Sequence, residues 1–168
     1  MKAIIDLCSR IDNALAAVIN VAVTVLGFFI AFSMVGGIVF RALLGIQVFG
    51  LEELVLMAAM WLYMLGAALA SRERSHLSAD FFQAFSDNEV LHDVMRLIAT
   101  GLSLVMAVFF VNWSYSLFSW GFEKGQVTPV FGIPQYFSQV SLLVASVLLL
   151  LYVLRDFVHD VSKMFREA

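Results

Sequence analysis

The chain has 168 residues, 62% of them hydrophobic and 14% charged, a composition that a soluble domain of this size cannot hide from water because its surface is too large for its volume. The bilayer is therefore the expected solvent for most of it. Ten Lys and Arg against 13 Asp and Glu give a net charge of −3, which excludes the basic footprint of a nucleic-acid binder, and the lone Cys8 excludes an internal disulfide or a cysteine zinc cluster.

Four stretches free of Asp, Glu, Lys and Arg, residues 13–40, 54–71, 97–122 and 125–154, are separated by short charged blocks. A helix of about 18 residues is roughly 27 Å long, close to the hydrocarbon thickness of about 30 Å. Each stretch therefore predicts a membrane span, at 14–40, 54–71, 97–121 and 134–154. The first is not a cleaved signal peptide, because Asp6 and Asp12 interrupt its start and its apolar run is too long. The fourth begins at Pro134, since Gly125, Pro129 and Gly132 break what precedes it and proline suits a first helical turn. The predicted class is an all-α integral membrane protein, a single membrane domain over residues 1–168 with four transmembrane helices and short interfacial helices.

Orientation follows from the basic residues. Lys2, Arg10, Arg72, Arg74, Arg96, Arg155, Lys163 and Arg166 fall at the N-terminus, in the loop 72–96 or in the C-terminal tail, while only Arg41 and Lys124 fall in the other two loops. The positive-inside rule then places both termini and the loop 72–96 in the cytoplasm. Ile4, Leu7, Cys8 and Ile11 form one helically spaced apolar face, and Leu77, Phe81 and Phe85, with Phe82 beside them, form another; both predict short helices at the membrane surface. Ser86 followed by Glu89 resembles a capping box opening the third helix.

The spans hold no ionisable residue, and His76, His92 and His159 fall in cytoplasmic segments, which argues against an autonomous ion-coupled carrier and against a two-histidine haem site. No catalytic triad, phosphate loop or metal site is present in the pattern, so no enzyme and no cofactor is expected. Asn20, Thr24, Ser33, Asn112 and Gln139 suit hydrogen bonds between helices; the competing reading is an independent homo-oligomeric carrier or channel lined by Asn20, Asn112 and Gln139. Gly36 with Gly37, Gly66 with Ala70, and Ser138, Ser141 and Ala145 permit close helix contacts. Trp113, Tyr115, Trp120 and Tyr136 suit an interfacial belt, whereas Trp61 and Tyr63 fall in mid-span, where at least one should face protein. Glu52 and Glu53 open the second span, where the helix dipole favours carboxylates, and Arg72, His76 and Asp80 are spaced by four.

The order of these features resembles the small permease subunit, or Q subunit, of tripartite ATP-independent periplasmic (TRAP) transporters. Glu52, Glu53 and Leu54, then Trp61, then Leu65, Gly66, Ala67 and Ala68, then Arg72, His76 and Asp80 carry the resemblance, with Thr128, Pro129, Ile133 and Pro134 before the last span. The stretch 135–154 departs from the pattern in lacking a late proline. The resemblance implies a complex of the bacterial inner membrane, in which a periplasmic substrate-binding protein delivers an organic acid to a large permease subunit of the M type. That subunit carries sodium-driven transport, and the small subunit braces it within the lipid. The implied contacts with the large subunit are Glu52, Glu53, Trp61, Gly66, Arg72 and His76.

Overall fold

The computed structural model describes residues 2–45, 48–73 and 89–167. They form four helices, α1 (Lys2–Leu44), α2 (Leu51–Arg72), α3 (Glu89–Lys124) and α4 (Tyr136–Glu167). All four are long and apolar enough to cross a membrane, over Asp12–Leu43, Leu51–Arg72, Met95–Lys124 and Tyr136–Ser162.

The helices overrun the charge-free stretches. α1 is one continuous helix of 43 residues, about 65 Å long at 1.5 Å per residue, so the N-terminal segment is no separate interfacial helix and a large part of α1 lies outside a hydrocarbon core of about 30 Å. The apolar face at Ile4, Leu7, Cys8 and Ile11 lies outside the described side chains. Residues 77–86, which hold the second such face and Ser86, lie outside the described residues altogether. Of the loop predicted at 72–96, Arg72 belongs to α2 and residues 89–96 to α3.

The helices stand in an open row: α1 packs on α2, α2 on α4 and α4 on α3. Contacts at both ends fix the directions. Asp12 meets Arg72 at 2.9 Å, while a Cβ on Gly37 would stand 2.8 Å from Leu51 Cδ2, so α1 and α2 are antiparallel. Thr100 meets Asp160 at 2.9 Å and Gly121 meets Gln139, so α3 and α4 are antiparallel too. The two hairpins join through α2 and α4, which run parallel, and both termini lie at one end.

The seams follow from sequence spacing. On α1, Asp12, Ala16, Ile19, Val23, Leu26, Ile30, Ser33 and Gly37 alternate in steps of four and three and are its covered residues along that line, the 3.5-residue period that keeps one stripe against an antiparallel partner. On α3 the buried residues Thr100, Ala107, Ser114 and Gly121 recur every seven and are all small, which lets α4 approach closely. Ser141 and Ala145, among the small residues of the fourth span, are spent on contacts within this chain, being 0% and 2% exposed. Buried hydroxyls cost little because each donates to its own helix: Ser114 to the Phe110 carbonyl at 2.7 Å, Ser141 to that of Ser138 at 2.6 Å and Ser146 to that of Leu143 at 2.9 Å.

The α3–α4 connection is a tight double-backed loop. Gly125 (φ +57°) and Gly132 (φ +65°) turn it, Val127 and Pro134 form an antiparallel bridge, and the Thr128 N–H donates to the Ile133 carbonyl at 2.9 Å, as does the Gln135 N–H to that of Gln126. Pro134 is thus held in the loop by the amides on either side of it, and α4 begins at Tyr136 rather than at Pro134. Gly50, at φ +84° before α2, lies under the loop tip: a Cβ there would overlap the Phe131 ring and stand 2.9 Å from Val130 Cγ1. Gly50→Ala therefore combines a left-handed backbone penalty of about 1–2 kcal/mol with displacement of Phe131. The expected result is a lower thermal midpoint in detergent for Gly50→Ala and none for Gly27→Ala, whose Cβ would meet nothing within 4 Å.

Candidate functional site

Charged side chains gather where the two termini lie. Arg72 of α2 bridges to α1, its Nε 2.9 Å from Asp12 Oδ2 and its Nη2 donating to Asn13 Oδ1 at 2.6 Å. Arg155 of α4 reaches back to α2, donating from Nη2 to the Arg72 carbonyl at 2.9 Å and from Nε to Asp156 Oδ1 at 2.9 Å, while its guanidinium lies 5.4 Å from the centre of the Tyr152 ring. Arg96 of α3 places Nη2 2.7 Å from Asp160 Oδ1, and Thr100 donates to Asp160 Oδ2 at 2.9 Å. Asp156 and Asp160 are 1% and 8% exposed, a burial that carboxylates tolerate when guanidinium groups and hydroxyls face them. Charged residues that end the apolar runs thus sit on continuing helices and tie all four helices at one level. The spacing of Asp156 and Asp160 by four, on the α4 face that also carries Ser141, Ala145 and Tyr152, is the sequence signal for this girdle.

At the opposite end Glu53 holds the α3–α4 loop. Its carboxylate accepts the Val130 N–H at 2.8 Å and the Phe131 N–H at 3.1 Å, which the dipole argument alone does not foresee. Between this loop, the start of α2 and the start of α4 opens a cleft of about 670 Å³, lined by Glu52, Leu56, Met57, Met60, Ser138 and Gln139 among others. Among the described residues no group of three or more His, Cys, Asp or Glu is placed to hold a metal ion.

The six predicted contact residues divide. Glu53 is engaged by the loop and Arg72 by α1, so both serve the fold of this chain. Glu52 is exposed, Trp61 is half-buried, and a Cβ on Gly66 would meet nothing within 4 Å. At about 100° per residue Glu52 and Gly66 share one side of α2 and Trp61 points to the other. His76 lies outside the described residues. In mid-span, Trp61 is the covered aromatic and Tyr63 is 68% exposed.

Asn20, Asn112 and Gln139 do not converge. Asn20 and Asn112 are exposed on α1 and α3, the two edges of the row, and Gln139 lies against Gly121 between α3 and α4. A single copy therefore encloses no polar route among the described residues. Of the aromatic belt, Trp113, Tyr115 and Trp120 are 66%, 60% and 47% exposed, and Tyr136 packs edge-on against Phe118 and Phe122 at 6.4 and 5.6 Å between centroids.

A comparison with protein families matches residues 30–163 to the family described as tripartite ATP-independent periplasmic transporters, DctQ component. No curated protein matches the chain. The match covers three of the four helices entirely or nearly so, together with the second, smaller part of the membrane-crossing stretch of α1, from residue 30 onward. With four apolar helices and a girdle of paired charges in place, the family match shows that the chain belongs to the DctQ family, the small membrane component of TRAP transporters, and is a transporter component rather than an enzyme.

Proposed function

We propose that the chain acts as a non-catalytic brace for the large permease subunit in binding-protein-dependent, sodium-driven uptake of an organic acid. The DctQ family implies partnership with the DctM and DctP subunits of such transporters. The observation that carries the reading is the open row. A carrier needs an enclosed route with groups that bind and release its cargo in the membrane, whereas here Asn20 and Asn112 stand on opposite edges, Gln139 lies apart from both between α3 and α4, and the buried carboxylates Asp156 and Asp160 face guanidinium groups at one end. A single layer of helices stapled across one rim is suited to stiffen a neighbour. In this reading the termini and the charged girdle lie at the cytoplasmic face of a bacterial inner membrane, in keeping with the basic residues there, and Glu53 with its loop lies at the periplasmic face.

Gentle solubilisation of cells expressing this chain together with the large subunit of its transporter tests the assignment. The expected result is one stable complex containing both chains. A large subunit that runs apart from this chain under conditions that keep each monodisperse would overturn it.

A further inference from the structure

The open face of α2 carries groups that lipid leaves unsatisfied. α2 is flanked by α1 and α4, and its exposed residues are Glu52, Leu56, Met60 and Tyr63, whose spacing of four, four and three makes one stripe along the helix. Leu56 and Tyr63 are each 68% exposed. Tyr63 stands about 18 Å from the start of α2 and about 14 Å from its end, too deep for its phenol to reach either rim. None of the described residues hydrogen-bonds its hydroxyl and acyl chains offer no acceptor at that depth, so a neighbouring chain is the source left for one. One turn further, Gly66 has open space where a Cβ would stand, so its smallness serves no contact with the described residues and leaves the backbone free for close approach. At the rim the Glu52 carboxylate is exposed while its neighbour Glu53 is engaged, and the cleft of about 670 Å³ opens beside Leu56 and Met60.

We propose that this stripe seats one transmembrane helix of the large subunit. The inference rests on the assembly proposed above and names its surface. The seated helix brings a Lys or Arg to Glu52 at the rim, a hydrogen-bond acceptor to Tyr63 at mid-depth, and a bulky apolar side chain into the cleft. Acyl chains satisfy Leu56 and Met60 but offer no acceptor to Tyr63. A second copy docked stripe to stripe about an axis normal to the membrane would set Glu52 against Glu52, a like-charge contact that opposes association.

The test uses the complex of this chain with the large subunit. A photoreactive p-benzoyl-phenylalanine in place of Leu56 or of Tyr63 is expected to give an adduct of the two chains. In parallel, Gly66→Leu and Tyr63→Phe are expected to lower the yield of complex about fivefold or more, while Gly27→Leu on α1 leaves it unchanged. Adducts with lipid only, or with a second copy of this chain, from a complex that still co-purifies would overturn this surface and leave the assembly standing, as would unchanged yield for both α2 variants. Absence of any wild-type complex would overturn the assembly itself.

Discussion

Arg96→Leu is expected to destabilise the folded chain by about 3–5 kcal/mol, because it removes the cation facing a carboxylate that stays buried. Arg96 Nη2 lies 2.7 Å from Asp160 Oδ1, with the Asp160 side chain only 6% exposed, so water cannot replace the guanidinium there. Thr100 still donates to Oδ2 and His159 Nδ1 is 3.7 Å from Oδ1, a full ångström farther than the Arg96 guanidinium that the substitution removes. Asp160→Asn should cost less, since it leaves no unpaired charge inside and Arg96, 35% exposed, can turn to solvent. Equilibrium unfolding in mixed detergent micelles checks both. The ordering, with Arg96→Leu the more damaging, is the outcome that the burial difference dictates, and the reverse ordering would show that the pair is solvated.

The second large effect is expected at the other hairpin. Arg72→Leu takes away two charge-assisted hydrogen bonds, to Asp12 at 2.9 Å and to Asn13 at 2.6 Å, worth together about 2–3 kcal/mol after allowance for partial exposure. The consequence is local, because α1 packs chiefly on α2 and beyond it only the Tyr152 hydroxyl of α4 reaches Asp12 among the described residues. Spin labels on α1 and α2 near this end should therefore report a broadened distance distribution, while the α3–α4 hairpin keeps its own. Arg72→Lys keeps a cation but loses the forked geometry, and should fall between wild type and Arg72→Leu. A distribution as narrow in Arg72→Leu as in wild type would mean that the seam from Ala16 to Gly37 suffices alone.

Sequence pattern discloses the helices and hides their neighbours, for a physical reason. Absence of charge over about 18 or more residues is enforced by hydrocarbon on each segment separately, so residues 54–71 announce a helix without reference to the rest of the chain. Helix ends depend on more. Arg155, Asp156 and Asp160 would each end a span on hydropathy grounds, yet α4 runs through them because Arg96, Thr100 and the Arg72 carbonyl meet them from other helices. Pro134 misleads in the same way: its fixed φ suits a helix start, but cross-loop hydrogen bonds to its neighbours hold it outside.

The candidate contact residues show the same division. Glu52 and Glu53 are adjacent and chemically identical, and only the fold separates an exposed carboxylate from one bound to the amides of Val130 and Phe131. Gly66 was legible as a small residue but its use was not, since α2 buries Ala58, Leu65, Ala68 and Ser71 instead. The seven-residue recurrence of Thr100, Ala107, Ser114 and Gly121 is readable from sequence and marks the face that meets α4; its partner helix is not, because a seam carries its period and not the identity of what packs on it.

Solute uptake into proteoliposomes decides the central claim. Vesicles holding this chain alone, with a sodium gradient and the binding protein loaded with its solute, should show no uptake above empty vesicles, and vesicles holding this chain with the large subunit should accumulate the solute. Accumulation by this chain alone would contradict a brace, as would full activity of the large subunit without it.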